Sequence, residues 1–217
     1  MRLYYSLGDG IFRWTEDFVS STDGLIGLEQ PFGTILADDC FWIETSSTNK
    51  AQVNLKGIYY ANPLHAASYK GDKQVVEMLL DHMADVNAQG EEYGNALYAS
   101  SDQGHKQVVK MLIDSKADVN AQGGRYGNAL QAASYRGHEH VVKMLLDNKA
   151  DVNAQGGEYG NALQAASYAG HEHVVKMLID SKADVKAQGI YHNNALHAAL
   201  DGGHKQVVEM LSKAGAH

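Results

Sequence analysis

Eleven histidines in a chain of 217 residues are the first side chains to weigh for chemistry, because a neutral imidazole can bind a metal or accept a proton near neutral pH. The pairs His138-Glu139-His140 and His171-Glu172-His173 place two candidate ligands two residues apart. On a helix that spacing turns the side chains about 200° away from each other, whereas chelation from one helix needs the i, i+4 spacing of His-Glu-x-x-His. Equivalent histidines on neighbouring packed helices would stand about 10 Å apart, too far to share an ion held at about 2 Å. His138 and His171 therefore read as structural residues at a helix start, and no metal is assigned. Cys40, the single cysteine, lies in no recognisable nucleophile signature. Gly123-Gly124 and Gly156-Gly157 lack the following lysine and Ser/Thr of a phosphate-binding loop and read as turns. No catalytic residue and no cofactor are expected. The alternative is a small catalytic or ligand-binding pocket in residues 1–50, with Asp9, Glu16, Asp17, Asp38 and Asp39 as its acid groups, which the rest of the chain would merely target.

Charge narrows the partners. Lys and Arg number 18 against 26 Asp and Glu, a formal net charge of -8, with an isoelectric point near 5.7. A face that attracts phosphate backbones or anionic lipid must be basic, so neither nucleic acid nor a membrane surface is an expected partner. The N-terminus, Met1 to Gly10, is interrupted by polar and acidic residues before the apolar core of a signal peptide can form, and no apolar run approaches bilayer length. One cysteine makes no internal bridge, which fits a reducing compartment. The expectation is a cytoplasmic protein, with a nuclear one also open.

The elements that would carry any function are repeats. Asn62-Pro63-Leu64 recurs as Asn95-Ala96-Leu97, Asn128-Ala129-Leu130, Asn161-Ala162-Leu163 and Asn194-Ala195-Leu196, each 33 residues after the last. The segment Arg125 to Gly157 differs from Glu158 to Ile190 at only six positions. Within a unit, Asn128 is placed to cap a short helix over Ala129 to Tyr135, which Gly137 ends. A second helix over about His138 to Asp147 carries Val141, Val142, Met144, Leu145 and Leu146 as a broad apolar stripe. Ala150 to Ala154 then leads into the glycine-rich turn Gly156 to Gly160.

These residues resemble the ankyrin repeat, whose pattern runs turn, Thr-Pro-Leu-His-x-Ala-Ala, Gly-His, Val-Val-x-x-Leu-Leu and Gly-Ala-Asp-Val-Asn. The resemblance covers residues 51–217, in units of about 58–90, 91–123, 124–156, 157–189 and 190–217, and implies an all-α solenoid of stacked helix pairs with projecting turns. Tyr-Gly-Asn-Ala-Leu-Gln-Ala-Ala-Ser is also similar to near-identical arrays of filamentous fungi, some attached to NOD-like receptor proteins. Two departures stand out. Asn-Ala replaces Thr-Pro in four units, and the first-helix histidine survives only as His65 and His197, with Tyr98, Gln131 and Gln164 between them. Asparagine capping must then take over from hydroxyl-to-imidazole bonding. Met83, Lys116, Lys149 and Lys182 stand where the pattern has glycine; left-handed, each costs about 1–2 kcal/mol and weakens its helix end.

The resemblance also implies a function: an adaptor, scaffold or sensor array that binds another protein on its concave face. Partners of this family usually meet turn tips and the exposed end of the first helix. The matching positions are Tyr59, Glu91, Glu92, Arg125, Glu158 and Tyr191 at the tips, and Tyr69, Lys70, Asp102, Tyr135, Arg136 and Tyr168 at the helix ends. A second tyrosine series, Tyr60, Tyr93, Tyr126 and Tyr159 followed by His192, is constant among the units and is expected to stack within the turns. Lys143 and Lys176 are expected to pair with Glu139 and Glu172 on their own helices. Ser212 falls where earlier units have Leu146 and Ile179, as an end cap requires. Residues 1–50 are left as an irregular segment or degenerate cap, or as what remains of a longer receptor. The partner's identity and the oligomeric state are not legible.

Overall fold

The computed structural model describes residues 62–90, 94–189 and 192–216 throughout, preceded by the backbone of four short strands. Those strands, β1 (Leu3–Leu7), β2 (Gly10–Arg13), β3 (Val19–Ser20) and β4 (Trp42–Ile43), pair antiparallel in the order β3-β2-β1-β4. Whether residues 1–50 form a cap or conceal an acid cluster lies outside the described residues. So do the tip positions Tyr59, Glu91, Glu92 and Tyr191, and the ladder residues Tyr60 and Tyr93.

The array is all-α. Ten helices among the described residues form five pairs: α1 (Pro63–Lys70) with α2 (Lys73–Asp81), α3 (Ala96–Asp102) with α4 (Lys106–Asp114), α5 (Ala129–Arg136) with α6 (Glu139–Asp147), α7 (Ala162–Ala169) with α8 (Glu172–Asp180), and α9 (Ala195–Asp201) with α10 (Lys205–Lys213). Each first helix starts as the sequence dictates. The side chains of Asn62, Asn95, Asn128, Asn161 and Asn194, in extended backbone, accept the N–H three residues on at 2.8–3.1 Å. The asparagines do replace the missing hydroxyl caps.

Ala66, Ala67, Ala132, Ala133, Ala165 and Ala166 are buried at 1 % exposure or less, so successive first helices pack more intimately than successive second helices do. The stack consequently bends toward the first-helix side, which makes that side concave. Leu79, Leu112, Leu145, Leu178 and Leu211 are wholly buried between the layers, with paired valines one turn earlier completing a continuous core. Ser212 is exposed. Leu200, however, stands where the earlier units bury Ser68, Ser101, Ser134 and Ser167, and is 55 % exposed.

Met83, Lys116, Lys149 and Lys182 all lie in the left-handed region, with φ of 65–71°. Each closes a helix end in which the next amide reaches back to the last turn, as Ala150 N–H does to the Leu145 carbonyl at 3.0 Å. Lys149→Gly is expected to stabilise the array by about 1 kcal/mol, raising the melting temperature by about 2–4 °C. An unchanged or lower melting temperature would show that the lysine conformation is not strained.

Candidate functional site: the concave face and its turns

The turns that edge the concave face are tight. Gly123 and Gly156 N–H groups donate to the carbonyls of Gly127 and Gly160, each at 2.7 Å. Neighbouring turns are tied together as well: Glu158 N–H donates to the Arg125 carbonyl at 3.1 Å, and the Arg125 Nε and Nη2 groups both donate to the Glu158 carboxylate. Two expected contact residues thus neutralise each other. They stay accessible, with side chains 67 % and 35 % exposed, and water screens an exposed pair of this kind so that it adds little to stability.

Two further residues at the helix ends are also paired. Asp102, expected to be exposed at the end of α3, is buried at 8 %, because Arg136 from the next unit covers it. Arg136 Nε donates to Asp102 Oδ1 at 2.9 Å, and Gln103 Nε2 donates to Oδ2 at 2.7 Å. Tyr69 is 36 % exposed, and Lys70 beside it is exposed.

The two tyrosine series, separate in the sequence, form a single column. Tyr135 lies between Tyr126 and Tyr159, with centroids 4.6 and 4.8 Å away, and Tyr168 lies between Tyr159 and His192, at 5.0 and 5.2 Å. Tyr135 and Tyr168 are therefore half-buried packing residues as well as parts of the concave surface. Spacing could not reveal this, because the two series come from different elements and interleave only once the units stack. At the far end His192 Nδ1 meets Asp201 Oδ2 at 2.9 Å. Burial, and then the hydrogen bond with Tyr135, push the Tyr159 phenol far above its usual range.

The histidines at the second-helix starts act between units. The Nε2–H groups of His105, His138 and His171 donate to the carbonyls of Tyr69, Asp102 and Tyr135 in the preceding unit, at 2.9–3.0 Å. Each ring lies flat over that unit's terminal glycine, Gly71, Gly104 or Gly137. His138 and His171 make no side-chain cap bond. The expected Glu139 to Lys143 pair is not formed: Lys143 Nζ meets Asp147 at 3.2 Å, and Glu139 meets His173 of the next unit at 3.5 Å. An acid in the last turn opposes the helix dipole and a lysine beside it offsets this, whereas Glu139 in the first turn is already favoured.

Three inter-unit links went unread in the sequence. Gln131, 2 % exposed, donates through Nε2 to the carbonyls of Gly156 and Gly160, both at 3.0 Å, and to that of Ala154 at 3.4 Å. Tyr98, at the same position one unit earlier, accepts the Tyr126 N–H through its hydroxyl at 3.2 Å. Asn87, Asn120 and Asn153 each clasp the following unit: Asn120 Nδ2 donates to the Lys149 carbonyl at 3.3 Å, and its Oδ1 accepts Asp151 N–H at 2.7 Å. The recurrence of Asp-Val-Asn in three units was the available signal for that clasp.

Burial pushes the Tyr98 phenol up to about 12, against an ordinary value near 10. A proton held more tightly in the folded state gives stability that is fully present below pH 10 and is lost as pH rises through about 12. Urea melts between pH 9 and 12 are therefore expected to show a fall that Tyr98→Phe reduces. An equal fall in that variant would assign it to other groups.

The family model for ankyrin repeats, in its three-copy form, matches residues 41–123, 64–156 and 129–217. The chain belongs to the ankyrin-repeat family. Ankyrin repeats are generally protein–protein interaction modules and are typically non-catalytic. Among curated proteins none matches the chain. Among the described residues of this ankyrin array, no helix is long and apolar enough to cross a membrane.

Proposed function

We propose that the array is an adaptor, scaffold or sensor module that binds a partner protein on its concave face. The observation that carries this reading is where the near-identical third and fourth units differ: two of their six differences, Arg125 against Glu158 and Arg136 against Ala169, fall on a turn tip and a first-helix end. Residues that build the core barely change, while these surface positions change in charge. Tyr69, Lys70, Arg125, Arg136, Glu158, Tyr168 and Asp201 supply aromatic area and both signs of charge, the kind of surface that interface anchors use. Four to five units offer roughly 800 Å² to a partner, a standard interface. Attachment to a NOD-like receptor is compatible with this role, the array then serving as its sensing part.

The test is affinity capture from cell lysate with mass spectrometry. The wild type is run beside a Tyr69→Ser, Lys70→Glu, Asp201→Lys variant whose helicity is checked to be unchanged. A partner recovered at least about tenfold less by the variant, a difference of about 1.4 kcal/mol, supports the concave face. Equal recovery moves the contact elsewhere.

A further inference from the structure

The aromatic column is not uniform along its length. Among the described tyrosine pairs, Tyr135 and Tyr159 are the most nearly parallel, 4.8 Å between centroids at an interplanar angle of 17°, and their hydroxyls are hydrogen-bonded to each other. Two phenols so placed bring the ring carbons next to their oxygens together across the stack. Tyr126 and Tyr135 are as close, at 4.6 Å, but are turned by 27°, and Tyr159 and Tyr168 are tilted by 32° at 5.0 Å. The neighbouring cations differ too. Guanidinium groups lie 5.5 and 5.6 Å from the Tyr126 centroid and 5.7 Å from that of Tyr135, and a cation over a ring opposes the withdrawal of an electron from it. Among the described residues no such contact falls on Tyr159.

We infer that Tyr135 and Tyr159 form an oxidation site, at which one-electron oxidants join the two rings as a dityrosine and so staple the third unit to the fourth. Each phenol gives one electron to a one-electron oxidant, such as a metal(III) complex, and one proton to water. The two phenoxyl radicals couple through the ring carbons next to their oxygens, and the hydrogens on those carbons return to the oxygens as the rings regain aromaticity. The cross-linked chain has lost two electrons and two protons, and two oxidant molecules have each been reduced by one electron. Packing selects the pair. Two groups held in contact react as if at very high concentration, and Tyr159, 8 % exposed, is stacked against Tyr135 and Tyr168, which shields it from a second chain. Tyr135 is half-buried near the end of α5 and has room to tilt as the bond forms. The staple lies on the concave side, where it fixes the angle between the two units.

The test is brief illumination of the dilute full chain with tris(bipyridyl)ruthenium(II) and a cobalt(III) ammine, which generates ruthenium(III) as the oxidant. Tryptic digestion and mass spectrometry follow. The expected product is the peptide 126–136 joined to the peptide 150–176 with two hydrogens lost, formed without joining chains to one another. Tyr135→Phe and Tyr159→Phe, each checked for unchanged helicity, should each abolish the joined pair, whereas Tyr126→Phe and Tyr168→Phe should retain it. Coupling mainly within either peptide, between Tyr126 and Tyr135 or between Tyr159 and Tyr168, would overturn the proposal, as would a joined pair that survives Tyr135→Phe. An equal yield of the joined pair in urea would do the same, because the fold would then not be what brings the rings together. Oxidation that leaves the tyrosines uncoupled would also sink it.

Discussion

Gly137→Ala is expected to destabilise the array by about 2–3 kcal/mol, read as a lower urea midpoint at unchanged slope. Two separate causes add. At φ +75° an alanine pays the left-handed penalty of about 1–2 kcal/mol. Its Cβ would also stand 2.6 Å from the His171 ring. The imidazole must then move off, giving up its 2.9 Å hydrogen bond to the Tyr135 carbonyl, which contributes about 1 kcal/mol. The double variant with His171→Ala removes the collision but keeps the backbone strain. Strict additivity of the two single changes would show that ring and glycine do not interact.

Gln131→Ala is expected to cost about 2–3 kcal/mol. The amide is buried between the third and fourth units and serves the Gly156 and Gly160 carbonyls at once. Truncation removes the glutamine donor from the Gly156 carbonyl, leaves the Gly160 carbonyl with the Gly156 N–H alone, and opens a gap. Gln164→Ala provides the internal comparison: its Nε2 donates to one carbonyl, that of Ala187 at 3.1 Å, so about half the loss is expected. Equal effects at the two positions would mean that packing of the glutamine chain, and not its hydrogen bonding, sets the cost.

Much of this architecture could be read from residue order. The 33-residue period, the asparagine before each first helix and the valine-leucine stripe of each second helix are local signals, and each specifies its element without help from the rest of the chain. Even the left-handed lysines followed from their place after the last helical turn. What could not be read are the contacts between units. Nothing near Gln131 in sequence indicates that its amide faces a turn 25 residues on, and nothing near Tyr135 places it between two tyrosines of other elements. Asp102 and Arg136 were read as separate surface residues for the same reason: they lie 34 residues apart, and only the stacking register brings them together. The candidate surface was thus legible as a set of positions, while which of them remain available to a partner depended on the register.

The asparagine clasp gives the array a direction. Asn120 belongs to one unit, yet it holds the left-handed turn at Lys149 in the next, and Asn87 and Asn153 do the same one step earlier and later. A cut between two units therefore leaves unlike ends. The piece on the N-terminal side keeps an asparagine amide that water can satisfy, whereas the piece on the C-terminal side keeps a strained turn whose restraint has gone. Shortening the array from its front should loosen the new first unit more than shortening it from the back loosens the new last one. Through this clasp order is transmitted forward, from each unit to its successor, whereas the second-helix histidines hold the unit before them.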